Sequence, residues 1–287
     1  MTTVAIWYQD AHPSESIWAC SDSCISDPPT HGQSEPLPLL RHSPKIFPLQ
    51  ITCIEHGPVP EVAAFQHTIG LAYAGSSLFA VNLYAALTPI LTNLRGSHGA
   101  SVSIRNVAEL AKVFLLEFGQ TYGERYGELA RVEIALFGYC KVDRARRVFV
   151  LKPVYVQDAS GNAKPDVSLE EVDFSTPEYV CLLGDHKAEI RKRIAATRQR
   201  LPGGSSLRQY APRNVIREVI KEKCYPGISG TVQLAHAHTG GLRQFMDLEA
   251  VDGNIQNAMP INFKYLGFDL DEVGTVGQCW FSLPALR

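Results

Sequence analysis

Short apolar runs bounded by turn residues dominate the first seventy-five positions. Val4-Ala5-Ile6-Trp7-Tyr8, Ile17-Trp18-Ala19-Cys20, the segment Ser43-Pro44-Lys45-Ile46-Phe47-Pro48-Leu49 and Ile69-Gly70-Leu71-Ala72-Tyr73-Ala74 are strand-length and rich in β-branched and aromatic residues. The last of them breaks at Gly75, and Ser76-Ser77 supplies a pair of helix N-cap residues. From there the period changes. Ser77 to about Asn93 places Leu78, Val81, Ala85 and Leu87 to Leu91 near one side, with Pro89 expected to kink the last turn. Ser103 is an N-cap for a second helix, in which Val107, Leu110, Phe114 and Phe118 repeat at helical spacing until Gly123.

The second half repeats this order. Val132 to Tyr139 and Arg147 to Leu151 read as paired strands, the latter continuing through Val154 to Val156, with a turn over Asp158 to Asn162 and a further strand over Glu178 to Gly184. Helical sequence runs from Asp185 to about Arg200, breaks at Pro202-Gly203-Gly204-Ser205-Ser206 and resumes from Pro212 to Lys223, and a late strand starts at Ser229. Strands, two helices, strands, two helices, strands predict a layered α+β domain. Gln9 to Ser16 reads as a hairpin loop. Two longer stretches, 27–42 and 55–66, are Pro-rich and read as insertions, candidate rims of a site or of an oligomer contact. Residues 1–250 are expected to form one large domain, with 251–287 an extension packed on it or used in assembly.

Composition narrows the classes. A chain of 287 residues with 45% hydrophobic and 20% charged residues has the balance of an ordinary globular protein. The longest apolar stretch, Leu78 to Leu91, is interrupted by Asn82, Thr88 and Pro89, so no membrane span is expected. A net charge of −2 gives no global pull toward nucleic acid or anionic lipid. The seven cysteines are odd in number and scattered, which predicts reduced thiols and a cytoplasmic protein. Cys20 and Cys24 read as strand-end thiols rather than a zinc pair. His236 and His238 share a strand face, a geometry open to a metal, but no third ligand is spaced to join them. No cofactor and no metal are expected. The basic residues Lys187, Arg191, Lys192, Arg193, Arg198 and Arg200 could form a phosphate-binding face; the interleaved Glu189 favours a solvated or subunit-facing helix instead.

The remaining candidate is the start of the chain. A strand beginning at the second residue is expected to leave no room for a leader segment. Removal of Met1 would place a free α-amine and a hydroxyl together on Thr2. An α-amine titrates at about 7.7–8.0, so near neutral pH it can accept the hydroxyl proton and serve as the base for its own nucleophile.

Thr2-Thr3 opening the first strand, Asp22 closing the second, Lys45 opening the third and Ala74-Gly75 at the strand-to-helix turn together resemble the proteasome β subunits and their bacterial relatives HslV and Anbu. The resemblance is clearest over the first hundred residues. It implies a four-layer αββα sandwich of the N-terminal-nucleophile hydrolase type, with insertions and a C-terminal extension. It further implies that Thr2 Oγ attacks a carbonyl carbon, that Lys45 stabilises the alkoxide and lowers the amine pKa, that Asp22 holds Lys45 in place, and that the Gly75 N–H faces the developing oxyanion. Two positions depart from the family pattern. Gly184-Asp185-His186 carries a carboxylate where active subunits have Ser, so Asp185 either accepts from the terminal ammonium or caps its helix. Pro226 stands where an Asp usually precedes the retained Ser229. Phe47 and Tyr73 fall where the family lines its first specificity pocket.

The function expected from this resemblance is a threonine-type peptidase cleaving amide bonds in peptide or protein substrates, forming a homo-oligomeric ring, with any unfoldase or activator left unspecified. A non-catalytic ring or scaffold subunit and a small-molecule amidohydrolase are the alternatives.

Overall fold

Two sheets, antiparallel apart from one parallel edge pair, organise the chain, and their central strands bury both faces. The computed structural model describes residues 2–9, 16–27, 36–55, 63–126, 131–157, 163–176, 178–203 and 205–250, and, of the tail, 261–266, 268–269, 275–276, 279–280 and 283–284. The expected loop over 10–15, the turn over 158–162, residues 28–35 and 56–62 of the two insertions and residues 251–260 lie outside the described residues.

The elements run in chain order as β1 (Thr3–Gln9), β2 (Ser16–Ser21), β3 (Ile25–Asp27), β4 (Leu37–Leu40), β5 (Ile46–Glu55), β6 (Ala63–Gly75), α1 (Ser77–Thr92), β7 (Leu94–Gly96), α2 (Ile104–Tyr126), β8 (Val132–Cys140), β9 (Ala145–Gln157), β10 (Ala163–Glu171), β11 (Val180–Gly184), α3 (Lys187–Arg200), α4 (Ser206–Gln209), α5 (Ala211–Glu222), β12 (Gln233–His238), β13 (Gly241–Phe245), β14 (Asp247–Ala250) and β15 (Ile261–Tyr265), with three two-residue strands after them. One sheet has the order β11-β1-β2-β12-β13, the other β10-β9-β8-β6-β5-β7. Each of the strands β10, β13 and β15 is absent from the sequence reading. In β10 and β13 polar residues, as in Ala-Lys-Pro-Asp of β10, hide strands whose pairing is fixed by a neighbour rather than by their own pattern.

Period-two alternation in β1 sends Val4 and Ile6 into one cluster and Ala5 and Trp7 into another. The first of these clusters draws Ile17, Ala19, Leu183 and Ala235 from the five-stranded sheet and Ile46, Ala72, Phe137 and Val148 from the six-stranded one. The second joins the opposite face of the five-stranded sheet to Ile190 and Ile194 of α3 and to Val215, Ile216 and Val219 of α5. A third joins the opposite face of the six-stranded sheet to α1 (Leu83, Leu87, Leu91) and α2 (Val107, Ala111, Leu115). The continuous apolar runs read at the start of the chain are thus strands covered on both sides.

Helix ends follow local chemistry. Ser103 Oγ accepts the Asn106 N–H at 3.1 Å and Asn106 Oδ1 accepts the Ser103 N–H at 3.1 Å, a reciprocal cap on α2. Helix α1 runs through Pro89 to Thr92. Three of the six basic residues of α3 are engaged: Lys187 pairs with Glu133, Arg193 with Glu222, and Arg198 donates to the Glu178 carbonyl. Beyond residue 250, β15 pairs with β14, and the Met246 N–H reaches the Pro284 carbonyl at 3.0 Å. No described helix is long and apolar enough to cross a membrane.

Candidate active site

Strand register brings the ends of four strands to one point. Thr3 pairs with Gly184 of β11, Val4 with Ser21 of β2, and Gln233 of β12 with the same Ser21. Asp22 follows β2 directly, so it lies beside the first residues of β1, and its Oδ1 accepts the Thr3 N–H at 3.1 Å. Its Oδ2 accepts the Cys24 N–H at 3.2 Å and pairs with Lys45 Nζ at 2.8 Å. Lys45, the residue before β5, crosses from the other sheet and places the same Nζ 2.8 Å from Thr2 Oγ1. The Asp22 and Lys45 side chains are fully buried, and Thr2 is 4% exposed. A buried ion pair of this kind is tolerated only because each charge is hydrogen-bonded on several sides.

Gln233 fastens the two sheets at this place. Its Oε1 accepts the Lys45 N–H at 2.8 Å, and its Nε2 donates to the Ser43 carbonyl at 2.6 Å and the Asp22 carbonyl at 3.3 Å. The sequence reading missed it. The available signal was a lone amide between Val232 and Leu234 at a strand entrance.

The turn after β11 holds Thr2 from the other side. Gly184 has φ +88°, and a Cβ there would overlap the Thr2 carbonyl oxygen. The Asp185 N–H donates to that oxygen at 3.0 Å, and the Asp185 carboxylate accepts from the Thr2 nitrogen at 3.4 Å. Asp185 is not the cap of α3. That position belongs to His186, whose φ of 55° lies in the left-handed region and whose ring stacks on Tyr225. Glu133 of β8 fixes the turn in place: its Oε2 accepts the Gly184 N–H at 2.7 Å and its Oε1 pairs with Lys187 at 2.6 Å. Glu133 also escaped the sequence reading, although it is the one charged residue in the run Val132 to Phe137.

Gly75 ends β6 with φ +102°, where a Cβ would overlap the Arg131 carbonyl. With Gly184 and Asp185 it lines a cavity of about 630 Å³. Ser229 precedes Gly230, which packs against Ser23 and Cys24 of the loop after Asp22. It lies half-buried in the loop before β12, and among the described residues no hydrogen bond joins it to Thr2, Asp22 or Lys45. The neighbouring Ser23 is more engaged: its Oγ donates to the Arg41 carbonyl at 2.6 Å and accepts the Thr231 N–H at 2.9 Å. Phe47 and Tyr73 face α1 instead of the cavity and pack in the core there, and burial pushes the Tyr73 phenol up to about 12.

His236 stacks on Trp18, and its ring lies tilted against that of His238. Burial, and then the neighbouring His238 and Arg243, hold His236 down to about 4. Cys20 is buried and its thiol is raised by that burial.

No family model and no curated sequence matches the chain. Solved structures do. Anbu (ancestral beta-subunit) from Yersinia bercovieri is 16% identical, with a TM-score of 0.51 over 85% of this chain and 86% of that one. The Anbu complex from Pseudomonas aeruginosa, solved as a helical assembly, is 12% identical, with a TM-score of 0.53 over 89% of this chain and 88% of that one. The likeness spans nearly the whole of each chain, and it establishes a shared fold.

Proposed function

We propose that this chain, which carries the fold of Anbu, is a proteasome-like N-terminal-nucleophile hydrolase that cleaves amide bonds in peptides through Thr2. The observation that carries the reading is the buried relay in which one ammonium, Lys45 Nζ, lies 2.8 Å from Thr2 Oγ1 and 2.8 Å from Asp22 Oδ2. The two sheets facing each other between two pairs of helices support the αββα sandwich of that class.

Once Met1 is removed, the neutral Thr2 amine takes the hydroxyl proton as Oγ1 attacks the substrate carbonyl carbon. Lys45 offsets the negative charge gathering on Oγ1, and Asp22 fixes where that cation stands. The Gly75 N–H is the proposed donor to the oxyanion, an interaction of about 3–4 kcal/mol in the barrier. Collapse breaks the C–N bond, and the ammonium of Thr2 returns its proton to the leaving amine. Water then attacks the ester on Thr2 and releases the acid. Asp185 replaces a hydroxyl with a carboxylate beside the amine, so it favours the ammonium form at rest. Ser229 is assigned a supporting place behind the Asp22 loop.

Subunits of this kind shield their nucleophile by assembly, and the Pseudomonas aeruginosa neighbour was solved as a helical assembly. A homo-oligomer is therefore part of the proposal. The test is intact-mass measurement of the purified protein before and after incubation with a β-lactone, with light scattering on the same sample. A mass lacking Met1, a single adduct mapped to Thr2 and an assembly well above 31.6 kDa are expected. Retention of Met1 would leave no free amine and would favour a non-catalytic subunit.

A further inference from the structure

The space between β5, β6 and α1 that would receive a substrate side chain is filled. Phe47 stacks on Tyr73 with ring centroids 6.1 Å apart and on Tyr84 at 4.7 Å, and Tyr73 has no exposed surface. Three aromatic rings in contact form ordinary close-packed interior. A substrate residue beside Thr2 must be accommodated elsewhere.

Across Gly75 the situation reverses. The cavity of about 630 Å³ reaches from Gly75, Gly184 and Asp185 to an apolar wall made by Phe79, Leu115, Val132 and Val167. That volume lies within the range of about 300–1,000 Å³ typical of small-ligand sites, and exceeds what one side chain needs. Several of its charged lining groups are matched with partners: Glu133 with Lys187, Lys152 with Glu170 at 3.5 Å, Asp166 with Lys112 at 3.5 Å, and Asp185 with the Thr2 nitrogen. The larger share of the lining surface is apolar, worth roughly 25 cal/mol per Å² when a ligand removes it from water.

We infer that this cavity, and not the Phe47–Tyr73 region, is the specificity pocket, and that it receives a bulky apolar or aromatic side chain adjoining the scissile bond. The inference rests on the reading of Thr2 as the nucleophile. Gly184 and Asp185 line the cavity and also hold the Thr2 backbone, so a substrate side chain anchored there lies next to the residue that carries the nucleophile.

Gly119 of α2 gives a clean test. It lines the cavity, and a Cβ there meets nothing within 4 Å, so a side chain can be introduced at this point of the lining. Leucine also suits a helix interior better than glycine. Fluorogenic peptides that differ only at the residue preceding the cleaved bond, Phe against Ala, would be compared for the native protein and Gly119→Leu, with β-lactone labelling of Thr2 measured in both. The native protein is expected to favour Phe by at least tenfold in kcat/KM. Gly119→Leu is expected to lose tenfold or more on the Phe peptide, with the Ala peptide and Thr2 labelling within twofold of native. Labelled Thr2 with no Phe preference, or an equal loss on both peptides, would overturn the pocket alone. An unlabelled Thr2 in the native protein would overturn the nucleophile reading, and the pocket with it.

Discussion

The carbonyl oxygen of Thr2 occupies the volume that a Cβ on residue 184 would need. Two turns of chain separated by most of the sequence are therefore in backbone contact, and the Asp185 N–H completes the contact by donating to the same oxygen at 3.0 Å. The nucleophile's backbone is held by a glycine.

Gly184→Ala is expected to lower stability by more than about 1–3 kcal/mol, since it adds steric overlap to the strain of a left-handed alanine. Thermal unfolding monitored by circular dichroism measures this. Because the displaced atom belongs to Thr2, β-lactone labelling should also fall in whatever fraction remains folded. Native stability with native labelling would show that the turn can move.

Lys45→Met removes the ammonium and leaves Asp22 buried with backbone N–H donors alone. The expected loss is about 3–5 kcal/mol of stability, as for other buried pairs deprived of one partner. Thr2 labelling should slow on the order of 10²–10³-fold, the range for losing one positioned group that stabilises developing negative charge. Adding Asp22→Asn should recover part of the stability and none of the labelling, which separates the structural effect from the chemical one.

Asp185→Asn tests the amine. The carboxylate 3.4 Å from the Thr2 nitrogen favours the ammonium, so its removal lowers the amine pKa. Reaction needs the neutral amine, so the acidic limb of the rate profile should move to lower pH, with the plateau rate changing less. A limb that stays in place would place the carboxylate outside the base's environment.

His236 links stability to pH. Its folded pKa of about 4 lies below the ordinary 6.5, so the unfolded chain binds the proton more readily. Its contribution is fully present above about pH 6.5 and is lost as pH falls toward 4. The melting temperature should decline across that window, and His236→Phe should flatten the decline, as read by differential scanning fluorimetry in matched ionic strength.

Much of the fold was legible along the chain. Val4 to Tyr8, Ile17 to Cys20 and Val132 to Tyr139 are strands because their residues favour a pleated surface and leave no polar face for solvent. The extents of helices α1, α2, α3 and α5 were legible, helped by Ser103, Pro202 and the paired glycines that punctuate them, but α1 buries Phe79, Leu83 and Leu87 and leaves the expected Leu78, Val81 and Ala85 exposed. The Anbu-like fold was legible from the order of Thr2, Asp22, Lys45 and Gly75. Strands β10 and β13 were not, since their own composition is polar and their partners, β9 and β12, define them.

The sequence by itself determined which residues could carry chemistry: a threonine able to bear its own base, a lysine and an aspartate at strand ends, and a glycine at a turn. Tertiary structure alone decided what each of them faces. Residue spacing could not say that Gln233 would clasp the Lys45 and Ser43 backbones, that Glu133 would hold the Gly184 amide, or that Asp185 would turn to Thr2 while His186 took the helix cap. It could not say that Phe47 and Tyr73 would stack in the core while Gly75 lined an open cavity. The reason is physical. Strand periodicity fixes the face on which a side chain lies, whereas the partner across that face is set by how two sheets and their helices pack, a property of the whole chain at once.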